Sequence, residues 1–221
     1  MARILTGVIL FFITNTFTAF AQNEFMQIDY AEMERFVKDE RIEYDLLLTR
    51  FEQGDPTLSK EEVAQIYYGF PFTNEYNSFA LYMNIDKAYS KNDFATALPL
   101  IKQELKKNPL SLSLLIKAMT CSIALKDPDL QSYLENTSLR YQQIIQAILA
   151  TGNGASTETA YKVICVSDEY EIIFKPLQAK SIQQQAILEN KYDVFNVKLP
   201  TGKTKIFFDI SISFRHLQQL Q

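Results

Sequence analysis

The sequence contains few of the residues from which metal and nucleophile sites are built. Its 221 residues include one histidine, two cysteines, six glycines and no tryptophan. A single histidine excludes a histidine-cluster metal site, and two distant cysteines do not form a zinc site. Gly152-Asn153-Gly154 lacks the lysine and the helix context of a phosphate-binding loop. No serine lies in a nucleophile elbow. We therefore predict no metal ligand and no cofactor.

An excess of basic charge is also absent. Lysine and arginine number 22 against 26 aspartates and glutamates, which gives a net charge of −4. Mild acidity opposes binding to nucleic acid and to anionic lipid. The basic residues are scattered, apart from Lys102, Lys106 and Lys107, which we assign to a solvated helix face. No nucleic-acid partner is expected.

The N-terminus has the order of a secretory signal. Arg3 precedes an apolar run from Ile4, and Ala19-Phe20-Ala21 offers a small-x-small cleavage site before Gln22. The run is too interrupted by threonine and asparagine for a membrane anchor, which needs about 20 apolar residues. We predict that residues 1–21 are removed between Ala21 and Gln22. No cysteine follows for a lipid anchor, and no later segment is apolar enough to span a bilayer, so a periplasmic or secreted protein is expected.

Two cysteines in an exported protein raise the question of a disulfide. Cys121 lies on an apolar helical stripe and Cys165 in an apolar run typical of a strand. Both positions suit small core residues, so we favour free thiols. Pairing stays open, because a sequence does not give the distance between two alpha carbons.

Residues 22–153 have helical periodicity. Ser59 and Glu62 have the spacing of a capping box, which predicts a helix start. The segment 88–109, with Phe94, Ala97 and a closing Pro109, resembles one tetratricopeptide repeat. It departs from that pattern at Glu104, where alanine is usual. A second helical pair follows, so we predict tetratricopeptide-like hairpins over about 86–150.

After Gly154 the hydrophobic period changes from 3.6 to 2. We predict strands at 160–166, 170–174, 195–199 and 205–214, and a short Gln-rich helix at 179–188. A turn at Ser167-Asp168-Glu169 joins the first two strands, and a hairpin turn at 200–203 joins the last two. The predicted fold class is α+β, with helical hairpins followed by an antiparallel sheet of about four strands over 154–221, packed on the helices.

An aromatic cluster surrounds a glycine and a proline in the middle of the chain. Its members are Tyr67, Tyr68, Phe70, Phe72, Tyr76 and Tyr82. Such side chains can line a ligand groove, because they offer large contact areas with polar tips. Packing in the core is the favoured alternative, since a domain of this size needs most of its aromatic residues inside.

Paired carboxylates are the remaining catalytic option. Four acidic residues in the predicted β region are candidates: Asp168, Glu169, Asp193 and Asp209. Carboxylates in turns and on sheet edges are usually solvated charges, so we assign no catalytic residue. His216, five residues from the end, is expected to be solvated as well.

Four segments together resemble a family of exported Bacteroidetes proteins, domain-of-unknown-function family 4919. They lie at 44–55, at Tyr67-Tyr68-Gly69-Phe70, at Asp168-Glu169-Tyr170, and at 192–195 with 205–210. The resemblance covers about residues 27–215. It implies a periplasmic or secreted protein with helical repeats and a small C-terminal sheet, and it implies no activity.

Three functions are compatible with these observations. The leading hypothesis is a non-enzymatic binding or scaffolding module whose helical-repeat surface holds an envelope protein or peptide. The second is a carboxylate-dependent hydrolase of envelope glycans or peptides, which requires a buried carboxylate with a raised pKa. The third is a carrier of a small apolar ligand between helices and sheet.

Overall fold

The computed structural model describes residues 25–78 and 80–219, with side chains as far as His216. The predicted signal segment, residues 1–21, lies outside the described residues. The first part of the described chain is helical. Its helices are α1 (Tyr30–Asp39), α2 (Arg41–Glu52), α3 (Lys60–Gly69), α4 (Met83–Ser90), α5 (Phe94–Leu105), α6 (Leu112–Leu125) and α7 (Gln131–Leu149), with 3-10 turns at Phe70–Phe72 and Pro128–Leu130. Consecutive helices from α4 to α7 pack against one another, and α3 packs against α7 and α1.

Local hydrogen bonds explain where several of these helices begin. The predicted capping box is confirmed, because the Ser59 hydroxyl accepts the Glu62 N–H at 3.0 Å while Glu62 accepts the Ser59 N–H at 2.7 Å. Asp29 caps α1 and Ser111 caps α6 in the same manner. Such signals involve residues only a few positions apart, so the sequence alone reveals them.

The second part of the described chain combines a sheet with two helices. Its elements are β1 (Tyr161–Lys162), α8 (Val166–Phe174), β2 (Ser181–Leu188), β3 (Tyr192–Leu199), β4 (Gly202–Asp209) and α9 (Ser211–Gln219). The strand order is β1-β4-β3-β2. The α+β class is therefore confirmed. The sheet is mixed, however, because the short β1 runs parallel to β4 while the other pairs are antiparallel.

Most of the predicted elements after Gly154 are wrong in type or extent, and the first predicted strand, 160–166, is reduced to Tyr161–Lys162. The predicted turn and strand at 167–174 form α8, in which Ile172 and Ile173 are both buried while Phe174 is exposed, as a helix requires and a strand does not. The predicted Gln-rich helix forms β2, an edge strand held by pairing with β3. The last strand ends at Asp209, and α9 replaces its predicted continuation.

The hairpin between β3 and β4 follows the prediction. Leu199 pairs with Gly202, so Pro200 and Thr201 form a two-residue loop. Gly202 has a φ of +135°, a conformation that favours glycine. This hairpin places the alternating side chains Phe195 and Val197 in the core.

One continuous core joins the helices to the sheet. It includes Phe51 and Ile66 from the helical part together with Phe195 and Phe208 from the sheet. Cys121 is buried, Cys165 is half-buried, and both are free thiols. Within the described residues, no helix has the length and apolar character needed to cross a membrane.

The loop after α7 fastens the helical part to the sheet. The N–H groups of Asn153 and Gly154 both donate to the Thr159 carbonyl, at 3.0 and 2.8 Å, and the Gly154 carbonyl accepts the Phe207 N–H at 3.0 Å. A side chain on Gly152 would overlap the Thr159 carbonyl oxygen and lie 2.8 Å from that of Ala160. The loop can close only because residue 152 lacks a side chain.

We expect Gly152→Ala to lower the free energy of unfolding by about 3 kcal/mol or more, since backbone atoms on both sides prevent relaxation. Gly202→Ala is the control, because no atom lies within 4 Å of its new methyl group and the cost is backbone strain of about 1–3 kcal/mol. Chemical denaturation measures both variants. Equal losses in the two would contradict the close approach at Gly152.

Candidate functional site

All four candidate carboxylates are buried, which overturns the expectation of solvated charges. The exposed fraction is 1% for Asp168, 0% for Glu169, 2% for Asp193 and 5% for Asp209. Burying a carboxylate is costly unless hydrogen bonds, an opposite charge or a proton compensate for lost hydration. Each buried carboxyl group therefore needs a hydrogen-bond donor, a cation or a bound proton to compensate for its lost hydration.

The fold of α8 and of β3 causes this burial. Asp168 and Glu169 lie in the first turn of α8, on the same inward face as Ile172 and Ile173. The N-terminus of a helix favours acidic side chains, which assists the helix start. Asp193 shares the inward face of β3 with Phe195, two residues further on.

Asp168 is held by a tyrosine from the helical part of the chain. The Tyr67 hydroxyl donates to Asp168 Oδ2 at 2.7 Å and accepts the Ile164 N–H at 3.2 Å. Asp168 Oδ1 has no well-aligned donor, although the Leu112 N–H and the Ser167 hydroxyl lie near the carboxyl. Burial raises the pKa of Asp168 to about 7, against the lowering effect of the Tyr67 hydrogen bond.

The segment before Asp168 is fixed by two further hydroxyl groups. The Ile164 carbonyl accepts hydrogen bonds from Tyr76 and, at 2.7 Å, from Ser213 on α9. Both backbone polar groups of Ile164 are therefore satisfied by side chains from distant elements. This arrangement positions α8 and the Asp168 carboxyl rigidly.

A small cavity, here called the Asp168 cavity, opens beside this carboxyl. Its volume is about 50 Å³. Its lining includes Phe70, Tyr76, Tyr82, Asn108, Ser111, Ser113, Cys165, Ser167 and Asp168. That space suits an ammonium, a hydroxyl group or a water molecule, and it is far below the 300–1,000 Å³ of typical small-molecule pockets.

The Cys165 thiol at this cavity is not activated. It donates to the Ser78 carbonyl at 3.2 Å, and burial raises its pKa to about 12. Nucleophilic cysteines need a lowered pKa, because the thiolate is the reactive form. Thiol catalysis is therefore excluded at this position.

An outer groove continues from the cavity along the start of α4. Asn77, Ala80 and Tyr82 line both spaces, so the two meet at this segment. The outer groove has a volume of about 350 Å³. Its remaining lining residues are Leu81, Met83, Asn84, Ile85, Leu100, Gln103 and Glu104. The wall combines large apolar side chains with polar ones, and among the described residues no basic side chain lines either space.

Glu169 and Asp193 form a second acidic site between α8 and the sheet. Burial, and then the neighbouring Asp193 carboxyl, raise the pKa of Glu169 well above its usual range. Neither oxygen of Glu169 receives a hydrogen bond from a donor group, whereas Asp193 Oδ2 accepts one from Gln185 at 2.8 Å. Burial and the neighbouring carboxyl both favour the protonated form of Glu169.

Asp209, at the end of β4, has partners of its own. Its carboxylate accepts the Ser211 N–H at 3.0 Å, and Lys162 Nζ lies 3.4 Å away. This carboxylate has a cation and a helix start to satisfy it, so it has a structural role.

The aromatic cluster and the carboxylates converge on the same place. Phe70, Tyr76 and Tyr82 line the Asp168 cavity, and Tyr67 binds Asp168. Tyr68 is fully buried and donates to the Lys162 carbonyl at 2.9 Å, while Phe72 is half-buried against the core. Whether this cluster binds a ligand stays a prediction.

Sequence reasoning missed the serines that complete the site. Ser111 begins α6, and its hydroxyl lies 3.2 Å from that of Ser113. A cap signal could have identified Ser111 as a helix start, but not as a neighbour of Asp168.

Among the described residues, no group of three or more histidine, cysteine and acidic side chains could hold a metal ion. The His216 ring packs against Tyr76 with centroids 4.8 Å apart.

The raised pKa of Asp168 predicts that the fold weakens as pH rises. Between its unfolded value of 3.8 and its folded value of about 7, the folded state retains a proton that the unfolded state releases. Stability is thus fully present below about pH 4 and falls as pH rises through about 7, by at most about 4 kcal/mol. The raised pKa of Glu169 acts in the same direction.

We expect Asp168→Asn to reduce this pH dependence, because the amide binds no proton. The exposed Asp129→Asn is the control and should leave the dependence unchanged. Urea denaturation between pH 5 and pH 8.5 measures the free energy of unfolding of each protein. A wild-type stability that increases over this range would contradict the raised pKa values of Asp168 and Glu169.

Comparisons with known proteins define the family without adding an activity. No curated protein and no solved structure matches the chain. One family model matches residues 31–219, which is most of the sequence and agrees with the resemblance found in it. The chain belongs to the family described as Domain of unknown function (DUF4919).

Proposed function

We propose that this protein is a non-enzymatic binding module of the cell envelope. Its ligand is an apolar peptide segment of a partner protein that places a cationic or other hydrogen-bond-donating group in the Asp168 cavity. The observation that carries the proposal is Asp168 Oδ1, which is buried without a well-aligned donor at a cavity that meets the outer groove. A donor from a ligand would satisfy that oxygen.

The outer groove supplies the apolar contacts for such a segment. Leu81 and Met83 are 84% and 76% exposed, which is unusual for large apolar side chains. Burial of both by a ligand contributes about 25 cal/mol per Å² of apolar surface. The hydrophobic contacts would give affinity, and Asp168 would select the donor group.

Charge favours a basic ligand over an acidic one. The lining of the two spaces contains the carboxyl groups of Asp168 and Glu104 and no lysine or arginine. The whole chain has a net charge of −4. A lysine or arginine beside apolar residues therefore matches the site better than an acidic peptide.

The sequence supports the envelope location and the helical-repeat character. The order of charge, apolar run and cleavage site in residues 1–21 is that of an export signal. The helices α4 to α7 pack consecutively, as helical hairpins that hold extended segments do. Both features support a module that meets its partner outside the cytoplasm.

The carboxylate-dependent hydrolase remains a second candidate for one reason. Its requirement of a buried carboxylate with a raised pKa is met by Asp168, whose pKa of about 7 suits a general acid or base. The cavity of about 50 Å³ does not admit a sugar ring, and Cys165 is not a nucleophile. The geometry therefore favours binding over catalysis. If the protein hydrolysed envelope glycans or peptides and Asp168→Asn abolished that activity, the hydrolase would become the preferred function.

The proposal predicts that Leu81→Ser combined with Met83→Ser weakens peptide binding at least about 10-fold, since two apolar contacts are lost. The probes are peptides selected on the purified protein from a displayed random library, with affinities measured by fluorescence anisotropy. Ile42→Ser is the matched control, because Ile42 is 81% exposed on α2 and lines neither space. Enriched peptides should carry lysine or arginine beside apolar residues.

Two further results decide the role of Asp168. Binding of a cationic peptide should strengthen from pH 6 to pH 8, as the carboxyl loses its proton, and Asp168→Asn should remove this trend. Peptides that bind the Leu81 and Met83 double variant as tightly as the wild type would place the interaction elsewhere and overturn the proposal.

A further inference from the structure

Arg140 on α7 is a buried cation without an anionic partner. Its exposed fraction is 6%. One Nη2–H donates to the Pro109 carbonyl at 2.7 Å, and Nε has no acceptor. In the part of the chain that the structure describes, no carboxylate forms an ion pair with this guanidinium.

Such a group is costly to maintain. A buried charge that lacks its partner destabilises a protein by several kcal/mol relative to a paired one. The Phe51 ring, 5.2 Å from the guanidinium carbon, offsets part of that cost through a cation–π contact. The Pro109 carbonyl and the Phe51 ring still leave the buried Nε–H of the guanidinium without an acceptor.

Arg140 lines a groove between α2, α5 and α7, here called the Arg140 groove. Its volume is about 320 Å³. Its lining residues are Glu52, Lys102, Leu105, Lys106, Tyr133 and Arg140. Three cations face one carboxylate, so the groove has a positive excess. It shares no lining residue with the Asp168 cavity or the outer groove.

The walls of this groove are apolar as well as cationic. Leu105 contributes an aliphatic surface, and Lys102 Nζ lies 4.3 Å from the centre of the Tyr133 ring. The Tyr133 hydroxyl is buried without a well-aligned hydrogen bond, although the Thr137 hydroxyl lies near it. A site with these groups offers positive charge, a hydroxyl group and apolar contact to the same ligand.

Glu52 is the only carboxylate in the lining of the groove. Burial raises its pKa, and the Arg140 charge acts in the opposite direction. The positive charge of Arg140 thus acts on the pKa of Glu52, although the two side chains do not form an ion pair in the described structure. This carboxylate would repel an anionic ligand. Removal of the Glu52 charge should therefore strengthen binding of the anion, whereas removal of a lysine charge should weaken it.

We propose that the Arg140 groove is a second binding site, which takes a carboxylate carried on an apolar group. The carboxylate provides the missing counter-charge for Arg140, with Lys102 and Lys106 at the entrance, and the apolar group packs on Leu105 and Tyr133. A small hydrated anion would gain nothing from those walls. Two sources share the required chemistry, namely the C-terminus of a polypeptide ending in an apolar residue and a free aliphatic acid.

Titration calorimetry with octanoate tests the charge and the apolar contact together. Octanoate should bind in a saturable manner, while 1-octanol and inorganic phosphate should bind much more weakly. Lys106→Met should weaken octanoate binding about five-fold or more through loss of a nearby charge. The neighbouring Lys107→Met is the matched control and should bind normally, since Lys107 pairs with Glu104 outside the groove.

Glu52→Gln should instead strengthen octanoate binding several-fold, because it removes the opposing carboxylate. Both Glu52 and Lys106 are exposed enough to be changed without loss of the fold, which Arg140 is not. A short peptide ending in leucine, with a free or an amidated C-terminus, distinguishes the two sources. Equal binding of octanoate and octanol, preference for phosphate, or no response to either variant would overturn the proposal.

Discussion

The hydrogen bond from Tyr67 to Asp168 joins two parts of the chain that are 101 residues apart in sequence. Tyr67 belongs to α3 of the helical part, and Asp168 lies in the first turn of α8 beside the sheet. Because the same hydroxyl accepts the Ile164 N–H, it fixes the segment that leads from β1 into α8. The shape of the Asp168 cavity and the burial of Glu169 both depend on that placement.

A proton is part of this arrangement. Asp168 is almost fully buried, and the tyrosine donor does not compensate for the lost hydration, so the pKa of the carboxyl stays near 7. Burial and the neighbouring Asp193 carboxyl also raise the pKa of Glu169. Asp209 instead has the Lys162 ammonium and the Ser211 N–H as partners. The buried carboxyl groups of this domain are therefore accommodated in two ways, by retention of a proton and by contacts with donor groups.

Features set by neighbouring residues could be predicted from the sequence, and features set by distant contacts could not. The Ser59–Glu62 capping box and the two-residue hairpin loop depend on a few adjacent residues. The segment that forms β2 has no strand signal of its own, and its pairing with β3 decides its conformation. The burial of Asp193 was not predicted, although the residue alternates in phase with the apolar Phe195 and Val197. The approach of Tyr67 to Asp168, and of the α6 start to the same carboxyl, required the fold.

A carbon-detected NMR titration of the aspartate carboxyl groups measures the protonation of Asp168 itself. The Asp168 resonance of the wild-type protein should titrate near pH 7. In Tyr67→Phe the pKa should rise further, because the hydroxyl donor that lowers it is lost. An Asp168 resonance that titrates near the unperturbed value of about 4 in both proteins would contradict the buried, tyrosine-bound carboxyl on which the account rests.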